Sequence, residues 1–178
     1  MKRILLGFTF LFFTGVIAAQ EIKWMSMNEA LEAQKKEPKK IFMDAYTTWC
    51  GPCKMLDKNT FSNEELAAYV NEHYYPVKFN AEGQEEITYY DKTFGNPNYD
   101  PNKKGRNSQH SFATAMRITG YPSLVFFDEK GALIAPIVGY RSAEDLEIYL
   151  KMFAQNDHKE ITSQEDWKEY QESFNSEF

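Results

Sequence analysis

Short apolar runs alternate with amphipathic segments from residue 27 to residue 174. The runs at 41–46 and 123–127 are apolar almost without a break, which is typical of strands covered on both faces. The amphipathic segments place apolar residues every three or four positions, as helices packed on a sheet do. The pattern predicts strands over 41–46, 75–80, 123–127 and 132–138, and helices over 27–36, 50–58, 62–73, 111–118, 142–153 and 163–174.

The order of these elements predicts an α/β sandwich with a helical tail. The turn at 129–131 is so short that the last two strands are expected to form an antiparallel hairpin. The stretch 82–109 departs from the regular pattern, because it is rich in turn residues and in tyrosine. Three interpretations of this insert stay open: a loop that selects partners, a solvated decoration, and a calcium loop built on Asn98, Asp100 and Asn102.

The amino terminus has the three parts of a secretory signal. A basic start is followed by an apolar run at 4–17 and by the small pair Ala18 and Ala19. The run is shorter than the roughly 20 residues of a membrane-spanning helix, although an uncleaved anchor stays an alternative. We expect residues 1–19 to be removed and the mature protein to be periplasmic or secreted, not embedded in a membrane. Disulfides persist in such compartments.

Composition narrows the classes of function. Apolar residues make up 43% of the 178 residues, enough for a sizeable core, and the net charge of -6 disfavours a nucleic-acid partner. Residues 1–19 carry two bases and no acid, so their removal makes the balance more negative. Two cysteines alone cannot complete a zinc site, and the three histidines are scattered, so no metal is expected.

Cys50 and Cys53 lie where a predicted strand ends and a helix begins. Two cysteines at this spacing can form a small disulfide, and the helix N-terminus can stabilise a thiolate on the first. Pro52 suits the first helical turn, and Gly51 lets a partner's backbone approach. The alternative is an inert structural bridge, but closing so short a loop is worth only about 2 kcal/mol.

The segment Trp49-Cys50-Gly51-Pro52-Cys53-Lys54 resembles the active-site signature of the thioredoxin-like family. The resemblance covers residues 22–156 and is closest to the secreted bacterial branch. It implies a three-layer α/β/α sandwich with a mixed central sheet. Four further positions agree with the family pattern, namely the strand acid Asp44, the facing Lys78, the Tyr121-Pro122 pair and Gly139. The sequence departs from the family in lacking the helix proline, in Tyr121, in the insert and in the tail.

The resemblance assigns a role to each residue. Cys50 would be the exposed nucleophile, and Cys53 would resolve the mixed disulfide. Burial should raise the pKa of Asp44, which would then relay the proton of Cys53, with Lys78 tuning that acid. The expected substrate-binding residues are Trp49, Gly51, Pro52, Tyr121, Pro122 and Gly139, with a cis Pro122 leaving the Tyr121 backbone free to pair with a substrate strand. No dissociable cofactor is implied, because the cysteine pair holds the electrons.

These observations predict a signal peptide at 1–19, a thioredoxin-like domain at 20–156 with its insert at 82–109, and a helical extension at 157–178. The expected activity is reduction or isomerisation of disulfides in exported proteins, supplied by a membrane electron donor. The Gly-Pro dipeptide resembles that of reducing thioredoxins, which implies a reduction potential below about -200 mV. Two alternatives remain: a non-catalytic binding module, and a reductase dedicated to cytochrome c maturation.

Overall fold

A four-stranded mixed sheet lies at the centre of the fold. The computed structural model describes residues 20–178, so the predicted signal peptide lies outside the described residues. In chain order the elements are α1 (Met27–Lys36), β1 (Lys40–Tyr46), α2 (Gly51–Asn59), α3 (Glu64–His73), β2 (Tyr74–Asn80), β3 (Ile87–Tyr89), β4 (Lys92–Phe94), α4 (Ser111–Ala115), β5 (Ser123–Phe127), β6 (Leu133–Val138), α5 (Ala143–Gln155) and α6 (Gln164–Ser173).

The sheet has the order β2-β1-β5-β6, with β1 parallel to β2 and the other two pairs antiparallel. The parallel pair needs a long crossover, which α2 and α3 provide. The short turn between β5 and β6 makes the predicted hairpin. The expected mixed sheet is therefore confirmed, and β1 lies at its centre, buried along almost its whole length.

Alternate residues of β1 face two hydrophobic cores. Ile41 and Met43 face the core formed with α1 and α4, while Phe42 faces the core formed with α2, α3 and α5. This arrangement is the expected three-layer sandwich. Asp44 has the same parity as Phe42 and points into the second layer, on the side of α2.

The helical tail packs on the second core. α6 begins with a capping box in which Ser163 and Asp166 satisfy each other's backbone amides. Its Trp167 stacks on Tyr149 of α5 with ring centres 5.6 Å apart. Within residues 20–178, every helix is too short or too polar to cross a bilayer.

Three local predictions differ from the structure. The predicted helix 62–73 begins at Glu64, because Asn63 accepts the Leu66 amide and acts as the N-cap instead of Ser62. The helix predicted over 111–118 ends at Ala115, since Arg117 adopts a left-handed backbone with φ of 59°. The insert also contains a small antiparallel hairpin, β3–β4, that the pattern did not predict.

Candidate active site

The two cysteines form a disulfide at the N-terminus of α2. Cys50 is the N-cap residue, and its sulfur accepts a hydrogen bond from the Cys53 amide at 3.1 Å. Pro52 occupies the first turn, where its missing N–H costs nothing. The helix dipole and this amide would both stabilise negative charge on the Cys50 sulfur.

The prediction that Cys50 is exposed is wrong for this disulfide form. Cys50 and Cys53 are each only 2% exposed. The reason is that the Cys50 sulfur turns inward to cap the first turn of α2 instead of pointing outward. Gly51 and Pro52 are exposed, and the space beside Gly51 is open, so the surface above the disulfide is available to a partner.

The peptide bond between Tyr121 and Pro122 is cis, as the sequence predicted. The Pro122 carbonyl accepts a hydrogen bond from the Gly139 amide at 2.8 Å. Gly139 has φ of 99°, a conformation that favours glycine. Among residues 20–178, no backbone hydrogen bond uses the N–H or carbonyl of Tyr121, so both are free to pair with an extended segment.

Asp44 and Lys78 form an ion pair next to α2, the helix that carries the disulfide. They are direct partners in the β1–β2 register, and the Lys78 ammonium lies 2.7 Å from Oδ2 of Asp44. Asp44 is fully buried, and neither of its oxygens accepts a well-aligned hydrogen bond from a described residue. Burial raises the pKa of Asp44 to about 6, and the Lys78 charge limits the rise. The carboxyl can therefore exchange a proton near neutral pH.

A second carboxylate, Asp57, also pairs with Lys78. It lies four residues after Cys53 and therefore on the same face of α2, a spacing that is visible in the sequence although Asp57 was not among the predicted site residues. The Lys78 ammonium also lies about 5 Å from three aromatic ring centres, those of Trp24, Tyr46 and Phe61. Burial alone would lower the pKa of Lys78, but the two carboxylates outweigh it and raise that pKa.

The insert reaches the residue that precedes Cys50. The Trp49 indole donates a hydrogen bond to Glu82 at 2.8 Å, and the same Glu82 oxygen accepts the Asn107 amide at 2.8 Å. The Arg106 guanidinium lies 4.3 Å from the Trp49 ring centre. Trp49 also meets Tyr121 edge to face at 6.1 Å. Glu82 and Arg106 were not predicted, because nothing local in the sequence links them to Trp49.

The calcium interpretation of the insert gains no support. Among residues 20–178, no three His, Cys, Asp or Glu side chains converge as a metal site would require. Oδ1 of Asp100 accepts the Asn102 amide at 2.9 Å, which makes these residues a turn. The Asp100 backbone and the Asn107 side chain hold the loop closed by two further hydrogen bonds.

Comparison with known proteins agrees with the geometry. The thioredoxin-like domain family matches residues 27–154. The chain is 26% identical over 72% of its length to thiol:disulfide interchange protein DsbD of Pectobacterium atrosepticum, and 27% identical over 68% to disulfide bond reductase DsbH of Chlamydia pneumoniae. These matches span 18% and 66% of the two relatives.

Comparison with solved structures also finds a similar fold. A solved DsbH oxidoreductase superposes with a TM-score of 0.56 at 20% identity, covering 84% of this chain and 95% of that one. That likeness concerns the fold alone. The family match extends over most of the chain and includes both cysteines, Asp44, Lys78 and the cis-proline. The chain therefore belongs to the thioredoxin-like family.

Proposed function

We propose that this chain is a thiol–disulfide oxidoreductase that reduces or isomerises disulfides of exported proteins. The proposal rests on one observation, a disulfide at the N-terminus of a helix that Lys78 links to a buried carboxyl of raised pKa. The kinship with DsbH and DsbD supports it. The cysteine pair holds two electrons, so the exchange needs no dissociable cofactor.

The reaction begins with the reduced protein. The Cys50 thiolate attacks one sulfur of a substrate disulfide, a mixed disulfide forms, and the other substrate sulfur leaves as a thiolate. Cys53 then attacks the Cys50 sulfur, so the second substrate thiolate is released and the Cys50–Cys53 bond forms. Two electrons pass from the cysteine pair to the substrate.

Asp44 supports the second step by accepting the proton that the Cys53 thiol must lose. A carboxylate with a pKa of about 6 is a base of suitable strength near neutral pH. The positive charge of Lys78 prevents burial from raising the pKa of Asp44 further. Substrate would lie over the exposed Gly51 and Pro52 and pair with the free backbone of Tyr121 beside Pro122, while Trp49 and Gly139 shape the two sides.

We infer the direction of electron flow from the Gly-Pro dipeptide, which resembles that of reducing thioredoxins. We expect a reduction potential below about -200 mV, in the range of reductants. A protein that works as a reductant outside the cytoplasm needs a supply of electrons, which a membrane protein would provide. The proposal that the protein is exported depends on residues 1–19, which resemble a signal peptide. Mass spectrometry of the protein recovered from the periplasm or the medium tests whether they are removed.

A trapping experiment tests the activity. The Cys53→Ala variant should accumulate mixed disulfides through Cys50, which mass spectrometry of non-reduced samples detects. The wild-type protein should speed the reduction of insulin by dithiothreitol, and Cys50→Ser should fall to the rate of dithiothreitol alone. If wild type and Cys50→Ser both remain at that background, the oxidoreductase proposal is wrong and the binding-module alternative is favoured.

A further inference from the structure

Four exposed basic residues either follow the disulfide in the chain or lie on the part of the insert that reaches Trp49. We define the basic rim as Lys54, Lys103, Lys104 and Arg106. Lys54 directly follows Cys53, and the other three belong to the insert. The whole chain carries a net charge of -6, so this local excess of positive charge is opposite in sign to the rest of the molecule.

The insert holds its part of the rim against the site. Arg106 lies over Trp49, and the next residue, Asn107, is joined to Trp49 through Glu82. Hydrogen bonds between Asp100 and Asn107 close the loop at its base, so Lys103 and Lys104 stand at its tip. Lys104 is only two residues from Arg106, a distance of at most about 7 Å along the chain.

The rim charges are not neutralised within the molecule. In the part of the chain that the structure describes, none of the four has a carboxylate oxygen within ion-pair distance. Two carboxylates lie near this part of the insert along the chain. Glu82 is 9% exposed and accepts hydrogen bonds from Trp49 and Asn107, and the exposed Asp100 accepts the Asn102 amide, so two negative charges stand against the four positive ones.

We propose that the basic rim selects protein partners whose reactive disulfide is flanked by Asp and Glu. This inference rests on the proposed function and names its substrate class. Opposite charges around an interface speed encounter and orient the partner, while like charges disfavour the wrong ones. A polyanionic surface such as a membrane is disfavoured, because the remainder of the chain would repel it.

Two disulfide-bonded peptides test the proposal. The two peptides are identical except at the positions that flank the disulfide. These positions are Asp and Glu in the first peptide and Asn and Gln in the second. Reduced wild-type protein should react about tenfold faster with the acidic peptide at low salt, and most of that preference should vanish at about 0.5 M NaCl. This comparison needs no variant.

A charge reversal at the loop tip supplies the second measurement. Lys103→Glu with Lys104→Glu leaves Arg106 and its contact with Trp49 in place and should abolish or invert the preference. Lys35→Glu with Lys36→Glu, at the C-terminal end of α1, makes the same change in net charge and should keep the preference. Circular dichroism checks that both variants fold.

The outcomes separate the inference from the proposed function. Equal rates with the two peptides, or a preference that survives the tip reversal, would overturn the inference and leave the oxidoreductase activity standing. Binding to vesicles of anionic lipid without any peptide preference would overturn it too, in favour of a membrane surface. Failure of the wild-type protein to reduce either peptide would overturn the proposed function, and the inference with it.

Discussion

Asp44 and Lys78 are direct partners on adjacent parallel strands, with the ammonium nitrogen 2.7 Å from an oxygen of a fully buried carboxyl. Each side chain determines the charge state of the other. Burial favours the neutral acid, whereas the cation favours the carboxylate, and burial prevails. The stability of the fold therefore depends on the protonation state of Asp44, the same property that the proposed proton transfer from Cys53 uses.

Asp44→Asn should stabilise the oxidised protein at pH 8 and have little effect at pH 4. The folded pKa of Asp44 is about 6, above the ordinary 3.8, so the folded state binds the proton more tightly. Stability is then lost as pH rises through about 6, by up to about 3 kcal/mol. Urea unfolding at both pH values measures this. Asp57→Asn, at a half-exposed carboxyl, serves as the control. No gain for Asp44→Asn at pH 8 would contradict the prediction.

Lys78→Met should raise the pKa of Asp44 above 6, because the variant removes the cation but keeps much of the side-chain volume. The expected readout is a shift of the Asp44 titration, followed by NMR of the carboxyl carbon, to higher pH. Resolution of the mixed disulfide by Cys53 should move to higher pH in parallel. Lys58→Met, at an exposed position of α2, should leave both curves in place. An unchanged titration of Asp44 in Lys78→Met would show that the ion pair has little influence, and a downward shift would also contradict the prediction.

His110 should make the fold less stable as pH falls below neutrality. Its Nδ1 accepts the Phe112 amide at 3.1 Å, and its Nε2 lies 2.6 Å from the Glu85 carbonyl, so the buried ring is neutral. Burial lowers the pKa of His110 below the ordinary 6.5. Its stabilisation is therefore present above pH 6.5 and is lost as pH falls through the lower folded value.

His110→Asn keeps a capping side chain but cannot titrate, so it should flatten this part of the stability profile. The difference in unfolding free energy between wild type and the variant, followed from pH 7.5 to 5, separates the effect from that of Asp44. His73→Asn provides the matched histidine replacement. An identical slope for wild type and His110→Asn would refute the prediction.

Glu147→Gln should loosen the last residues of the chain. The buried Glu147 carboxylate accepts hydrogen bonds from the amides of Glu177 and Phe178 and forms an ion pair with Lys151 at 2.7 Å. Burial alone would raise the pKa of Glu147, but Lys151 and these donors outweigh it and lower that pKa. Loss of the charge should cost about 1–3 kcal/mol and speed amide exchange at residues 176–178. Glu172→Gln, at an exposed pair, should change stability by less than about 0.5 kcal/mol.

The central sheet could be predicted because its signals are local. The apolar runs at 41–46 and 123–127 mark buried strands, and the short turn after Phe127 allows only a hairpin. The β3–β4 hairpin was not predicted, because its turn lacks the usual sequence signal. Its turn places Tyr90 and Asp91 at positive φ, a conformation usually signalled by Asn-Gly, which is absent here.

The site was predicted as far as its motif extends along the chain. Cys50, Cys53 and the cis-proline follow a recognisable pattern, and strand register brought Lys78 to Asp44. The contacts of Glu82 and Arg106 with Trp49 depend instead on how a long insert returns across the surface. The inward turn of the Cys50 sulfur depends on helix-cap geometry that only coordinates reveal.

The two ends of the insert are tied to each other, because the His110 amide donates to the Ala81 carbonyl at 2.8 Å. The body of the insert belongs to the core, because Ile87 is fully buried there. Its tip is closed separately by the hydrogen bonds between Asp100 and Asn107, so the residues between these two can be exchanged without moving the sheet. Under the proposed function, a different tip grafted there would direct the same pair of thiols to new substrates.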